Sequence, residues 1–444
     1  MKITAVGMIV VSAVSLGGLA CTRSVEELSE SGISVGMPEF KDPTTADEIL
    51  PYARLYAKAL EVKAGENVII ISDRSIPGFK NEAFQRAVAE TGGEPHLVVL
   101  SGYPSVREPE EMFRYWTHMW WAEWVFTAFR GADAVLSLSN TSHNHSYYEG
   151  HAIGQWFPQN GIREMMVDEG VTLMTYAPFR DFPIELEDAI GEKLREQIPQ
   201  GTFTARVTDL EGTEITLTFH TSSVSSEPRL RRPHAAHGFG AWRKGRVRTD
   251  GGPILIDEVN GTIVSSSLHV GPLSEAMKIT VENSRVLTVE GGGPFGNWAR
   301  SMLEKYKDKD FGYYGVGANY LEEFQLTTHP KAFPRKGDYT FSELDASWRP
   351  TWRSGKIHLA FGSGGPIFDD EKKVIEDEFH IDFEIYFPTM TIGDETIIEK
   401  GRLAVLEDPE VRAVAAKYGD PDVLLSEDWT PRIGANGMID WSDY

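Results

Sequence analysis

Hydrophobic and polar positions along this chain fall into two textures that meet near residue 200. From about Thr45, segments with apolar residues at helical spacing alternate with short unbroken apolar runs. Pro51 opens the first helical segment, in which Ala53, Tyr56, Ala57 and Leu60 recur along one stripe. Val68-Ile69-Ile70-Ile71 is continuous, as expected of a strand buried on both faces. A helix over 81–91 ends at Gly92-Gly93, and Leu97-Val98-Val99-Leu100 is the next strand. A helix over 110–130, a strand over 134–138, a fourth strand over 171–174 and a helix marked by Leu186, Ile190 and Leu194 follow. This repeated order predicts a parallel sheet with helices on both sides.

After Gly201 the period becomes two. Phe203, Ala205 and Val207 alternate with polar residues, a Leu210-Glu211-Gly212 turn follows, and Ile215, Leu217 and Phe219 alternate again. The hairpin opens a strand-rich region through 254–256, 278–281 and 286–289. The fold class this predicts is an α/β domain with a parallel sheet over 45–200, then a β-rich α+β domain over 201–444.

The clearest alternation is Phe379-His380-Ile381-Asp382-Phe383-Glu384-Ile385, read as a half-buried strand. His380, Asp382 and Glu384 fall on its polar face, and an imidazole and a carboxylate two residues apart on one strand reach a single metal ion from the same side. A third ligand is needed, and His329 in Thr327-Thr328-His329-Pro330 is the candidate. Two imidazoles and one carboxylate leave positions open for substrate and oxygen at Fe(II). Structural histidines are the alternative, since the chain has 12 histidines to offer by chance.

Composition narrows the partners. The 444 residues suffice for two or three domains, and 41% apolar and 25% charged residues are ordinary for a globular protein. A net charge of −23 argues against nucleic acid or an anionic membrane surface as partner. Residues 1–21 carry Lys2, an apolar stretch and Leu19-Ala20-Cys21, the pattern of a lipoprotein signal with Cys21 as the lipidated residue. The expectation is export and a lipid anchor at the periplasmic face, with 22–44 as a tether. The alternatives are a non-lipidated signal, or a cytoplasmic protein if the start codon is misassigned. Cys21 is the single cysteine, which excludes intramolecular disulfides and thiolate zinc sites. The basic segment 229–248 is read as a solvated loop, and Trp116, Trp120, Trp121 and Trp124 as a core or interface stripe.

Six segments carry a resemblance. They are Val259-Asn260-Gly261-Thr262-Ile263; Val281-Glu282-Asn283-Ser284-Arg285-Val286; Glu290-Gly291-Gly292; Glu323-Phe324 with Thr328-His329-Pro330; Ser354-Gly355-Lys356-Ile357-His358-Leu359-Ala360; and His380-Ile381-Asp382-Phe383. Over roughly 255–385 the chain resembles the family containing aminopeptidase T type metallopeptidases and 2,5-dihydroxypyridine 5,6-dioxygenases, and lies closer to the dioxygenase branch. That branch implies one Fe(II) on His329, His380 and Asp382, and ring cleavage of a hydroxylated aromatic or N-heteroaromatic small molecule by O₂. The other branch implies a metal-dependent aminopeptidase with two divalent ions such as Zn, Co or Mn. There Glu323 and His358 match ligand positions, and Glu258 falls near a further one. Glu323, His358 and Glu384 are otherwise expected to support the ligands from behind. The resemblance also implies an acid/base histidine in an N-terminal loop, for which His143 and His145 are the candidates, and a homo-oligomer.

Overall fold

The structure is a computed structural model that describes residues 41–74, 76–100, 123–138, 147–148, 151–152, 156–157, 159–167, 174–221, 238–242, 254–268, 271–311, 315–333, 353–362, 367–368, 374–376 and 380–441. Helix α1 (Ala46–Ala59) begins after Thr45, whose amide is accepted by Glu48 at 3.0 Å. Strand β1 (Asn67–Asp73), helix α2 (Gly78–Glu90), β2 (Glu94–Leu100), α3 (Glu123–Phe129), β3 (Ala134–Ser137) and β4 (Arg163–Met166) follow. The four strands form a parallel sheet in the order β2-β1-β3-β4. Val68 and Ile70 feed a core shared with Tyr52, Tyr56 and Phe84, while Ile69 and Ile71 feed another with Phe129 and Trp156. The sheet is therefore covered on both faces, which is why β1 reads as an unbroken apolar run.

The fourth parallel strand forms at Arg163–Met166, ahead of the predicted 171–174, most of which lies outside the described residues. Its Arg-Glu-Met-Met sequence carries too little apolar signal to read as a buried strand, and its pairing with Ala134–Ser137 supplies the backbone bonds that define it. The predicted helix over 110–130 is described only as α3. Helix α4 (Ile184–Gln197) buries Leu186, Ile190 and Leu194 in the same core as the strands that follow it.

Those strands are β5 (Thr202–Thr208), β6 (Glu214–Thr221), β7 (Gly238–Trp242), β8 (Ile254–Leu268), β9 (Gly271–Glu282), β10 (Arg285–Gly291), β11 (Tyr320–Thr327), β12 (Ile357–Gly362), β13 (His380–Ile385), β14 (Thr389–Ile392), β15 (Glu395–Glu399) and β16 (Arg402–Leu403). They form an antiparallel sheet in the order β9-β10-β11-β12-β13-β8-β6-β5-β14-β15-β16, with β7 also pairing β11. Because β8 also pairs β9, the first six strands of that order close into a ring. Phe324, Leu359, Phe361, Ile381 and Phe383 belong to the core this domain packs around.

Polar bonds tie the C-terminal segment to both parts. Ile439 donates its amide to Glu211 Oε1 at 3.0 Å, and the indole of Trp441 donates to Ser266 Oγ at 3.0 Å. Lys331 donates to Asp428 at 2.7 Å, and the hydroxyl of Tyr176 donates to the same carboxylate. Among the described residues no helix is long and apolar enough to cross a membrane.

The β5–β6 turn carries a pH-dependent contribution to stability. Asp209 Oδ1 accepts the amides of Gly212 and Thr213 at 3.0 and 2.8 Å. Burial, with the Glu211 carboxylate adding to it, pushes the Asp209 carboxyl up to about 7. Its folded value lies above the unfolded one near 3.8, so the folded state keeps the proton longer. The resulting penalty is absent below about pH 4, grows as pH rises, and is complete above about pH 7. Asp209→Asn keeps the amide-accepting oxygen without titrating. Thermal melts from pH 4 to 8 should show wild-type stability falling relative to the variant by roughly 2–4 kcal/mol; parallel curves would refute this.

Candidate metal centre

Strand register assembles the site. Glu323 of β11 pairs with Ala360 of β12, which pairs in turn with Asp382 of β13. One row across three strands thus reads carboxylate, methyl, carboxylate. The small Ala360 side chain, fully buried, leaves room above it for the flanking carboxylates to converge. In the neighbouring row, Gln325, His358 and Glu384 are aligned. His358 lies on the same face of β12 as Ala360, and its ring reaches over the gap.

The resulting distances are short. His358 Nε2 is 3.0 Å from Asp382 Oδ1 and 3.8 Å from Glu323 Oε1. On the other side of the ring, His358 Nδ1 is 2.9 Å from Glu384 Oε1. The second oxygen of Glu384 makes an ion pair with Lys356 Nζ, both side chains being fully buried. Glu323, His358 and Asp382 offer one ligand atom each, all within 4.8 Å of one another. The side chains of Glu323 and His358 retain 13% and 10% exposure, so the group opens to solvent on their side.

Burial disfavours the charged form of His358, but the Glu384 and Asp382 carboxylates outweigh it and raise its pKa to about 10. Burial lowers Lys356 to about 8, against the pull of Glu384. With His358 protonated, three carboxylates face two cations, and one negative charge remains in a poorly hydrated place. A divalent ion replacing the Nε2 proton brings these five side chains to neutrality. Two carboxylates and an imidazole are a donor set for ions such as Zn²⁺, Mn²⁺ or Fe²⁺. The residues present therefore fit a metal.

The expected site residues separate in the fold. Asp382 is in the group, with Glu323 and His358 beside it. His380 lies two positions before Asp382 on β13, its backbone paired with Gly362. Glu384 contacts His358 from behind. His329 is placed elsewhere: its Nε2 is 3.3 Å from Glu187 Oε1 of α4, and its Nδ1 accepts the Lys331 amide at 3.1 Å. The rings of Phe179 and Phe182 lie 4.5 and 4.7 Å from its own. The structure does not bring His329 to the Glu323, His358 and Asp382 group, because beyond β11 the chain turns His329 toward α4. Glu258 is exposed on β8 and takes a hydrogen bond from Asn260 at 2.7 Å. His143, His145 and Cys21 lie outside the described residues, as does nearly all of the basic segment.

The strand 380–385 also differs from its reading as half-buried, since Asp382 and Glu384 are buried along with Ile381 and Phe383. The polar face is covered because it is the face on which the charged group assembles. Lys356 and Ala360 were not singled out by sequence. Lys356 stands just ahead of β12, two residues before His358.

No family model matches the chain, and no curated protein matches it. Solved structures do match. The 2,5-dihydroxypyridine dioxygenase of Pseudomonas putida KT2440 aligns over 83% of this chain and 99% of its own, with a TM-score of 0.51 and 12% identity. Wild-type AmpT from Thermus thermophilus aligns over 81% of this chain and 99% of its own, with a TM-score of 0.44 and 13% identity. The chain shares the fold of the first of these, a mixed α/β architecture with a parallel sheet and a large antiparallel sheet. At this identity the likeness extends to the fold alone, and the chemistry has to be argued from the side chains.

Two substitutions check the placement. Ala360→Leu fills the gap between the carboxylates and should abolish metal uptake at a folding cost of about 1–3 kcal/mol; unchanged uptake in titration calorimetry would show that the gap is not used. His329→Ala should destabilise by about 3 kcal/mol, because a buried ring packed against Phe179 and Phe182 is removed. The same variant, assayed below its melting temperature, should keep wild-type metal stoichiometry.

Proposed function

We propose that this protein is a metal-dependent enzyme whose side chains favour hydrolysis of an amide or peptide bond at a divalent ion, in the manner of an aminopeptidase. Both this reading and ring cleavage by an iron dioxygenase are compatible with the fold. One observation tips the balance: Glu323 and His358, which resemblance assigns to the peptidase branch, converge on Asp382. His329, which the iron reading requires, faces Glu187.

A bound divalent ion would supply Lewis acidity, polarising a carbonyl and acidifying water at neutral pH. Glu323, His358 and Asp382 would hold it. Asp382 lies 3.0 Å from His358 Nε2, so the two would bind neighbouring positions. Glu384 keeps His358 Nδ1 engaged and so presents Nε2 to the ion. Glu323, the most exposed of the three ligands, lies where a substrate would enter.

Metal analysis of the purified protein, followed by parallel assays on aminoacyl p-nitroanilides and on 2,5-dihydroxypyridine with an oxygen electrode, tests the proposal. The expected outcome is release of nitroaniline, loss of activity on chelation and recovery with Zn²⁺, Co²⁺ or Mn²⁺. His358→Ala and Asp382→Ala should each lower the rate at least about a hundredfold while the fold persists. Oxygen uptake dependent on Fe²⁺, with no amide cleavage, would replace hydrolysis by the dioxygenase reading.

A further inference from the structure

We propose that Lys356 is a positioning residue for the metal centre: its buried ammonium fixes Glu384 as the acceptor for His358 Nδ1, and thereby fixes the ring with Nε2 toward Glu323 and Asp382. This rests on the metal reading of that group for its functional meaning, but the positioning itself is a property of the protein alone.

The geometry that carries it is a continuous buried chain. Lys356 and Glu384 have no exposed side-chain surface and form an ion pair. The other Glu384 oxygen is 2.9 Å from His358 Nδ1. Lys356 lies immediately before β12, two residues from His358, while Glu384 lies directly across from His358 on β13. The ammonium is boxed in further by the Tyr386 ring, 5.8 Å away. The Lys356 backbone is fixed as well, since its carbonyl accepts the amide of Thr327 at 3.2 Å and the Thr327 hydroxyl at 3.1 Å.

A buried lysine is expensive, and a salt bridge is weak grounds for its presence, because apolar side chains of similar volume often do as well. What an apolar side chain cannot do is choose which Glu384 oxygen meets the imidazole. Without the ammonium, the carboxylate has two equivalent oxygens and freedom to rotate away from His358. With it, one oxygen is taken and the other is aimed at Nδ1. The carboxylate–imidazole pair behind a metal ligand sets ring orientation, and its loss typically weakens metal affinity about 10–100-fold. Lys356 extends that pair by one member.

The test compares Lys356→Met, Glu384→Gln and the double variant with the wild type. Zn²⁺ and Mn²⁺ affinity is measured by calorimetry, and the His358 imidazole signals are followed by nitrogen-resolved NMR in the metal-free protein. The expected result is a loss of about 10–100-fold in affinity for each single variant. The double variant should be no worse than either, because both act through the same hydrogen bond. The Nδ1–H signal, protected and downfield in the wild type, should broaden or move upfield in Lys356→Met. Should Lys356→Met fail to fold, the isosteric Glu384→Gln carries the same readouts. Unchanged affinity and an unchanged Nδ1–H signal would overturn the proposal, as would additive losses in the double variant. If the wild type binds neither ion yet the signal moves in Lys356→Met, the positioning stands and the metal reading falls.

Discussion

The His358 ring, held between Glu384 on one nitrogen and Asp382 on the other, is the contact on which the site depends. Three carboxylates around one imidazole would repel one another in the interior, where water does not screen them. Lys356 offsets part of that repulsion, and the protonated ring offsets more. The remaining negative charge is the reason the group suits a divalent ion. Such a cluster persists only where the backbone holds it rigidly, and three adjacent antiparallel strands with paired registers provide that.

Around this centre the fold separates charge from hydrophobic mass. The residues alternating with His358, Asp382 and Glu384 are Leu359, Ile381 and Phe383, which anchor the other face of the same strands in the main core. Each strand is thus fixed by its apolar face while its polar face carries chemistry. A separate set of polar contacts joins residues before 200 to those after: buried His329 with Glu187, and Tyr176 with Asp428, a carboxylate that also takes a hydrogen bond from Lys331. His329 and Lys331 lie on the stretch immediately after β11, so the strand that supplies Glu323 continues directly into the junction.

Much of the architecture was legible because burial leaves periodic traces. The β1 run, the β5–β6 hairpin and the alternation of β13 all appear where their patterns place them. β4 carries no such trace, because Arg-Glu-Met-Met is too polar to stand out. At the site, Asp382 falls beside Glu323 and His358 on the strand that its alternation marks, and His329 lies beside Glu187. Its separation from His380 fitted a ligand pattern, while the turn after β11 aims it at Glu187. No local sequence rule states where a chain goes after a strand ends.

Sequence alone determined the two textures of the chain, the strand that bears Asp382 and the set of titratable residues available to it. Those properties depend on period and composition, which neighbours in sequence fix by themselves. Tertiary structure decided which of those residues meet. Strand register aligned Glu323, Ala360 and Asp382 in one row and set His358 between two carboxylates, and register follows from pairing among segments far apart in the chain.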